Sequence, residues 1–90
     1  MTIKNWKPIS ILKNKLKQGN LTIGVSLIPG AVIEYGWGNR YGKILYIVNQ
    51  PSSGFHLDYH TAKKDCSTGT YSKKEDAYEG ALRYMASHSS

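Results

Sequence analysis

Pro8-Ile9-Ser10-Ile11-Leu12-Lys13-Asn14-Lys15-Leu16-Lys17-Gln18, followed by Gly19-Asn20, is the stretch on which the fold turns. It reads as a helix. Pro8 suits a first helical position and Gly19-Asn20 suits an exit. Ile9, Leu12 and Leu16 recur at spacings of three and four, a single helical stripe, with Ile11 off it. Lys13 and Lys17 share a face four residues apart. Lysines late in a helix also suit the negative end of its dipole, so part of this basicity has a structural use.

The next segment alternates. Leu21, Ile23, Val25 and Leu27 are separated by Thr22, Gly24 and Ser26, the period of a half-buried strand. Pro29-Gly30 supplies a turn with Pro and Gly in the type II positions. Ala31, Ile33, Tyr35 and Trp37 then alternate with Val32, Glu34 and Gly36, so an antiparallel hairpin is expected. Gly36-Trp37-Gly38-Asn39-Arg40-Tyr41-Gly42 reads as a glycine-punctuated loop. Lys43 to Asn49 is apolar on both faces, as a central strand is. Gln50-Pro51-Ser52-Ser53-Gly54 is a turn, and Phe55, Leu57 and Tyr59 alternate with His56, Asp58 and His60 in a fourth strand. Thr61 to Thr70 is polar and reads as a loop or a ragged strand end.

Ser72 followed by Glu75 three residues later reads as a capping box, so a helix is expected from Lys73 to about Ser87. Ala77, Tyr78, Ala81, Leu82 and Met85 form its apolar stripe; Glu75, Asp76, Glu79 and Arg83 face away. The fold class that follows is α+β. Residues 1–90 form one domain, a twisted antiparallel sheet of three to four strands with an N-terminal and a C-terminal helix. One or both helices cover one sheet face, leaving the other to solvent or a partner. Residues 1–7 and 88–90 read as flexible ends.

Ninety residues suit a single core. Only Cys66 is present, so no intramolecular disulfide can form, and a reducing cytoplasmic setting is expected. The first residues hold no apolar run, so no signal peptide is expected, and no stretch approaches the roughly 20 apolar residues that span a bilayer. No membrane partner is implied. The net charge is +6, and its placement is uneven. Residues 1–20 hold five lysines and no acid; residues 21–60 balance; residues 61–90 hold five bases against four acids. A basic end suits a polyanion or an acidic protein face.

Three groups of residues could carry function. Lys73 and Lys74 sit where a helix start prefers anions, and lysines beside free N–H groups suit a phosphate. On Ser72-Lys73-Lys74-Glu75-Asp76-Ala77 the chain resembles the double-stranded RNA-binding module, which has a helix, three strands and a second helix. The matching residues are Lys73, Lys74 and Ala77. The resemblance implies that these lysines grip phosphates across a groove. The sequence departs from that family by an extra strand. It carries Tyr78 where the family has a third basic residue, and its first loop lacks the family's histidine pattern.

Trp37, Arg40 and Tyr41 form the second group. Such residues stack on unpaired bases, at roughly 1–3 kcal/mol per base, and they also dominate protein–protein hot spots. The third is His56, Asp58 and His60, which share a strand face at about 6.8 Å spacing. A zinc site or a general base could be built there, but further ligands are lacking, and Cys66 has no partner base.

The expected function is therefore a small, basic, non-enzymatic binding protein without metal or cofactor. Lys13, Lys17, Lys73 and Lys74 would hold nucleic acid phosphates, DNA or RNA, while Trp37, Arg40 and Tyr41 stack or insert. The alternative is an inhibitor or adaptor of the kind phages and mobile elements encode. It would bind an acidic protein surface through the Trp/Arg/Tyr loop and the basic face. A homodimer through an exposed sheet edge is also open to the chain.

Overall fold

Pro8 to Gln18 is not a helix. In the computed structural model, which describes residues 5–88, the chain begins with β1 (Trp6–Pro8), β2 (Ser10–Leu12), β3 (Lys15–Gln18) and β4 (Leu21–Gly24). Ser10 pairs with Lys17, Ile11 with Leu16 and Leu12 with Lys15, so Lys13-Asn14 is a two-residue turn with Lys13 at φ 56°. Gln18 pairs with Leu21 across a second such turn, Gly19-Asn20, with Gly19 at φ 60°. A helix would bury Leu12 beside Leu16. Instead Leu16 is fully buried and Leu12 is 58% exposed, because Leu12 pairs with Lys15 across the turn and so shares its outward face, opposite to that of Leu16. The expected N-terminal helix is thus replaced by a three-stranded sheet in the order β2-β3-β4.

The remaining strands are β5 (Val32–Asn39), β6 (Ile44–Gln50), β7 (Gly54–His60) and β8 (Asp65–Tyr71), and the chain closes with α1 (Lys74–Ser87). A five-stranded antiparallel sheet runs β1-β5-β6-β7-β8. Its middle strand, β6, is buried from Ile44 to Val48, as its two apolar faces require. Ile44, Tyr46 and Val48 face the small sheet and pack with Leu16 and Ile33. Leu45 and Ile47 face α1 and pack with Trp6, Trp37, Leu57, Ala77, Ala81 and Met85. The molecule is therefore layered as helix, large sheet, small sheet, and it is mostly β. The N-terminal strand joins the two sheets. It pairs with β5 through Pro8, Ile9 N–H donates to the Gly36 carbonyl at 3.1 Å, and the chain then turns away into β2.

Three further expectations change. Pro29-Gly30 does form its turn, with Gly30 at φ 85° and Ala31 N–H bonded to the Ile28 carbonyl. The strands it joins lie in different sheets and make no hairpin, because β4 pairs with β3 and β5 pairs with β1 and β6. Trp37 is not in a loop. It lies in β5, 7% exposed, stacked on Tyr35 and edge-on to Tyr78. Residues 61–70 are a short turn followed by most of β8.

The last helix forms where expected, without its capping box. Tyr71 still pairs with Phe55, which leaves Ser72 before the cap position. Lys73 is the N-cap, at φ −122° and ψ 145°, and no side chain caps it; Glu75 and Asp76 in the first turn suit the dipole. Lys73→Asp should therefore stabilise the fold by about 1 kcal/mol. Thermal unfolding should show this as a midpoint rise of about 4–8 °C for a domain of this size.

Candidate nucleic-acid interface

The small sheet presents a lysine face. Leu16 points into the core, so Lys15 and Lys17 on either side of it point out. Register sets Lys15 between Leu12 and Gly24, and Lys17 between Ser10 and Thr22. All six of these residues are exposed, and Lys13 adds a third cation at the turn. The chain holds no Asp or Glu before Glu34. The only ion pair among the described residues is His60 with Asp65, so these lysines are unneutralised. Side chains two apart on a strand sit about 6.8 Å apart. Two unit charges at that distance repel by roughly 0.6 kcal/mol in water, a cost that a bound anion relieves.

The fold separates the other candidates from this face. Lys73 and Lys74 start α1, on the opposite side of the large sheet. There they are offset by Glu75, Asp76 and Glu79; Lys74 lines a groove with Glu75, Glu79, Tyr35 and Tyr78. Lys13 and Lys17 therefore share a layer with each other and not with the helix lysines. Trp37 is withdrawn into the helix-side core, leaving Arg40 and Tyr41 in the exposed β5–β6 turn. Asn39 builds that turn: its Oδ1 accepts the backbone N–H of Tyr41 and of Lys43, each at 2.9 Å. Arg40 Nη2 donates to the Tyr41 hydroxyl at 2.7 Å, and its guanidinium lies 5.0 Å from the ring centroid. Tyr41 is 62% exposed. Lys15 escaped the sequence reading, although Lys15-Leu16-Lys17 carries the period-two signal that places both lysines on one strand face.

His56, Asp58 and His60 do share a face, opposite Val48, Tyr46 and Ile44 of β6. Ser53 and Thr70 approach the His56 ring, and His60 pairs with Asp65. Among the described residues, no three His, Cys, Asp or Glu side chains converge in a way that could hold a metal ion. Asp58 is half-buried, and its Oδ1 has no hydrogen-bond partner among the described residues. Burial raises its carboxyl above the ordinary value and Asp65 adds to this; a bond from the Ser67 side chain and the nearby His56 oppose it. The Tyr46 phenol beside it is pushed up to about 12, chiefly by burial and then by Asp58 and Asp65.

A raised acid binds protons more readily folded than unfolded, so Asp58 disfavours folding once it ionises. Stability from this group is full below the ordinary Asp range and falls as pH rises through the raised folded value. Asp58→Asn should raise the neutral-pH midpoint and flatten the melting curve against pH above 4, measured from pH 3 to 8. A parallel, undiminished slope in the variant would refute this.

No helix among the described residues is long and apolar enough to cross a membrane. The element order implied by the double-stranded RNA-binding module, helix first, is not the one found, since the first described element is a strand. No protein-family model, curated protein or solved structure matches the chain.

Proposed function

We propose that the protein is a non-enzymatic nucleic-acid-binding domain that holds phosphates on the outer face of its small sheet. The observation that carries this is Lys13, Lys15 and Lys17 on one exposed, acid-free layer with no described residue packed over it. Arg40 and Tyr41 are the exposed pair able to stack on an unpaired base. Such a face recognises the backbone and not its sequence. Anisotropy titration with mixed DNA and RNA at low salt tests it; absence of micromolar binding refutes it.

A second reading, an inhibitor or adaptor of the phage or mobile-element kind, is favoured by one feature. Tyr41, Leu12 at 58% and Leu21 at 47% exposure are large hydrophobic side chains open to solvent on or beside the small sheet. A stoichiometric protein partner that survives nuclease treatment would select it.

A further inference from the structure

We infer that a recess between the Gln18 end of the small sheet and the β1–β5 pair is a pocket for a terminal phosphate, a phosphomonoester. The inference rests on the nucleic-acid reading above and specifies which part of the ligand is anchored. The recess holds about 350 Å³ and is lined by Asn5, Lys7, Gln18, Gly38, Asn39 and Arg40. That volume is within the roughly 300–1,000 Å³ of small-ligand sites.

Three elements build it. Register sets Lys7 of β1 opposite Gly38 of β5. Gln18 ends β3, next to Lys17 of the lysine face, and its Nε2 donates to the Asn39 carbonyl at 3.4 Å. Arg40 follows directly from the β5 end. The floor depends on Gly38: a Cβ there would lie 2.4 Å from Gln18 Nε2, so the side-chain amide lies directly over bare backbone. The lining thus has two cations, three side-chain amides and no carboxylate. Neither Lys7 nor Arg40 has an ion-pair partner among the described residues.

Charge and shape together select the ligand. A phosphomonoester carries about −1.5 to −2 at neutral pH, matching two cations. A backbone diester carries −1 and must extend from both sides, which a recess hinders and an open sheet face allows. Arg40 can grip two phosphate oxygens with its fork while Lys7 supplies a point charge. A nucleic acid whose end is phosphorylated would then seat that end in the recess, pass round the Gly19-Asn20 end of the small sheet and lay its backbone along Lys17, Lys15 and Lys13 on the outer face.

The test compares one single-stranded oligonucleotide in three forms, with a 5′-phosphate, a 3′-phosphate or hydroxyl ends, by anisotropy at pH 8 and pH 5.5. One phosphorylated form should bind about tenfold more tightly than the hydroxyl form at pH 8, as expected for one charge-assisted contact. The advantage should shrink at pH 5.5, where the phosphate loses its second charge (pKa about 6). In Lys7→Gln/Arg40→Gln the ratio of phosphate to hydroxyl affinity should fall to about one. Inorganic phosphate alone, titrated into wild-type protein, should shift the backbone amides of Lys7, Gly38 and Arg40 in NMR spectra and saturate. Equal binding of all three forms, with no saturable phosphate shifts, overturns the pocket and leaves the lysine-face reading intact. Saturable shifts with no oligonucleotide binding support the pocket and overturn the lysine face.

Discussion

Leu16→Ala is expected to cost about 2–5 kcal/mol of stability, the range for emptying a fully buried leucine site. A ninety-residue domain holds only roughly 5–13 kcal/mol in total, so this is a large share of it. Leu16 is fully buried, and no other side chain of the small sheet is. It packs with Ile33, Ile44, Tyr46 and Val48 of the large sheet. Three strands of three to four residues cannot hold together without such a face to pack on.

Gly36 makes the seat for Leu16. A Cβ on Gly36 would lie 2.9 Å from Leu16 Cδ2 and 3.2 Å from Ile9 Cγ1, so the small sheet rests almost on the β5 backbone. Gly36→Ala should therefore also destabilise, by about 1–3 kcal/mol of overpacking. The double variant should cost less than the sum, because the new methyl occupies space that the shortened side chain vacates. A favourable coupling of about 0.5–3 kcal/mol is expected from urea unfolding of the four proteins. A cost below about 1 kcal/mol for Leu16→Ala would mean that this seam does not hold the layers together.

Lys13→Glu/Lys15→Glu/Lys17→Glu is expected to weaken nucleic acid binding about a hundredfold or more at low salt. It removes three phosphate contacts and sets three anions in their place. The variant has a net charge of 0, because each change subtracts two from +6. Loss of overall charge alone could weaken binding, so a charge-matched variant is needed. Lys63→Glu/Lys64→Glu/Arg83→Glu makes the same total change at exposed positions in the β7–β8 turn and on α1. It should lose about tenfold or less, since only long-range attraction falls. All six sites are exposed, so each substitution should alter stability by no more than about 0.5 kcal/mol. Equal losses in the two variants would show that net charge, and not the small sheet's face, carries the binding.

The sequence was most legible where one period had no rival. β6 was readable because both its faces are apolar, and α1 because Ala77, Ala81 and Met85 recur at helical spacing over fourteen residues. Pro8 to Gln18 satisfies two periods at once. Ile9, Leu12 and Leu16 fit a helix; Ile9 with Ile11, then Leu16, fit two strands about a turn. Gly19-Asn20 serves equally as a helix exit and as a two-residue hairpin loop. What decides is a non-local contact, the bare backbone of Gly36 twenty residues beyond Leu16 in β5, which no local pattern reveals.

Trp37 reads as a loop residue for a related reason. Its flanking glycines look like loop punctuation, yet Gly36 and Gly38 are strand residues kept bare because Leu16 and Gln18 pack over them. Of the candidate residues, Lys13, Lys17, Arg40 and Tyr41 lie on or near the small sheet, while Lys73 and Lys74 lie across the large sheet. Their exposure was readable from charge, but their grouping was not, because it depends on which face of the sheet each flanking element covers.

The most direct test is the salt dependence of nucleic acid affinity in the wild type and in the Lys13/Lys15/Lys17 variant. Each phosphate neutralised contributes about −0.9 on a duplex and about −0.7 on a single strand to the slope of log K against log salt. The wild type should therefore show a slope of about −2.7 on a duplex, or about −2.1 on a single strand, or steeper, from these three lysines alone. The triple variant should lose at least that much of it. An affinity indifferent to salt, or a slope that the triple substitution leaves unchanged, would contradict the assignment of phosphate binding to the small sheet.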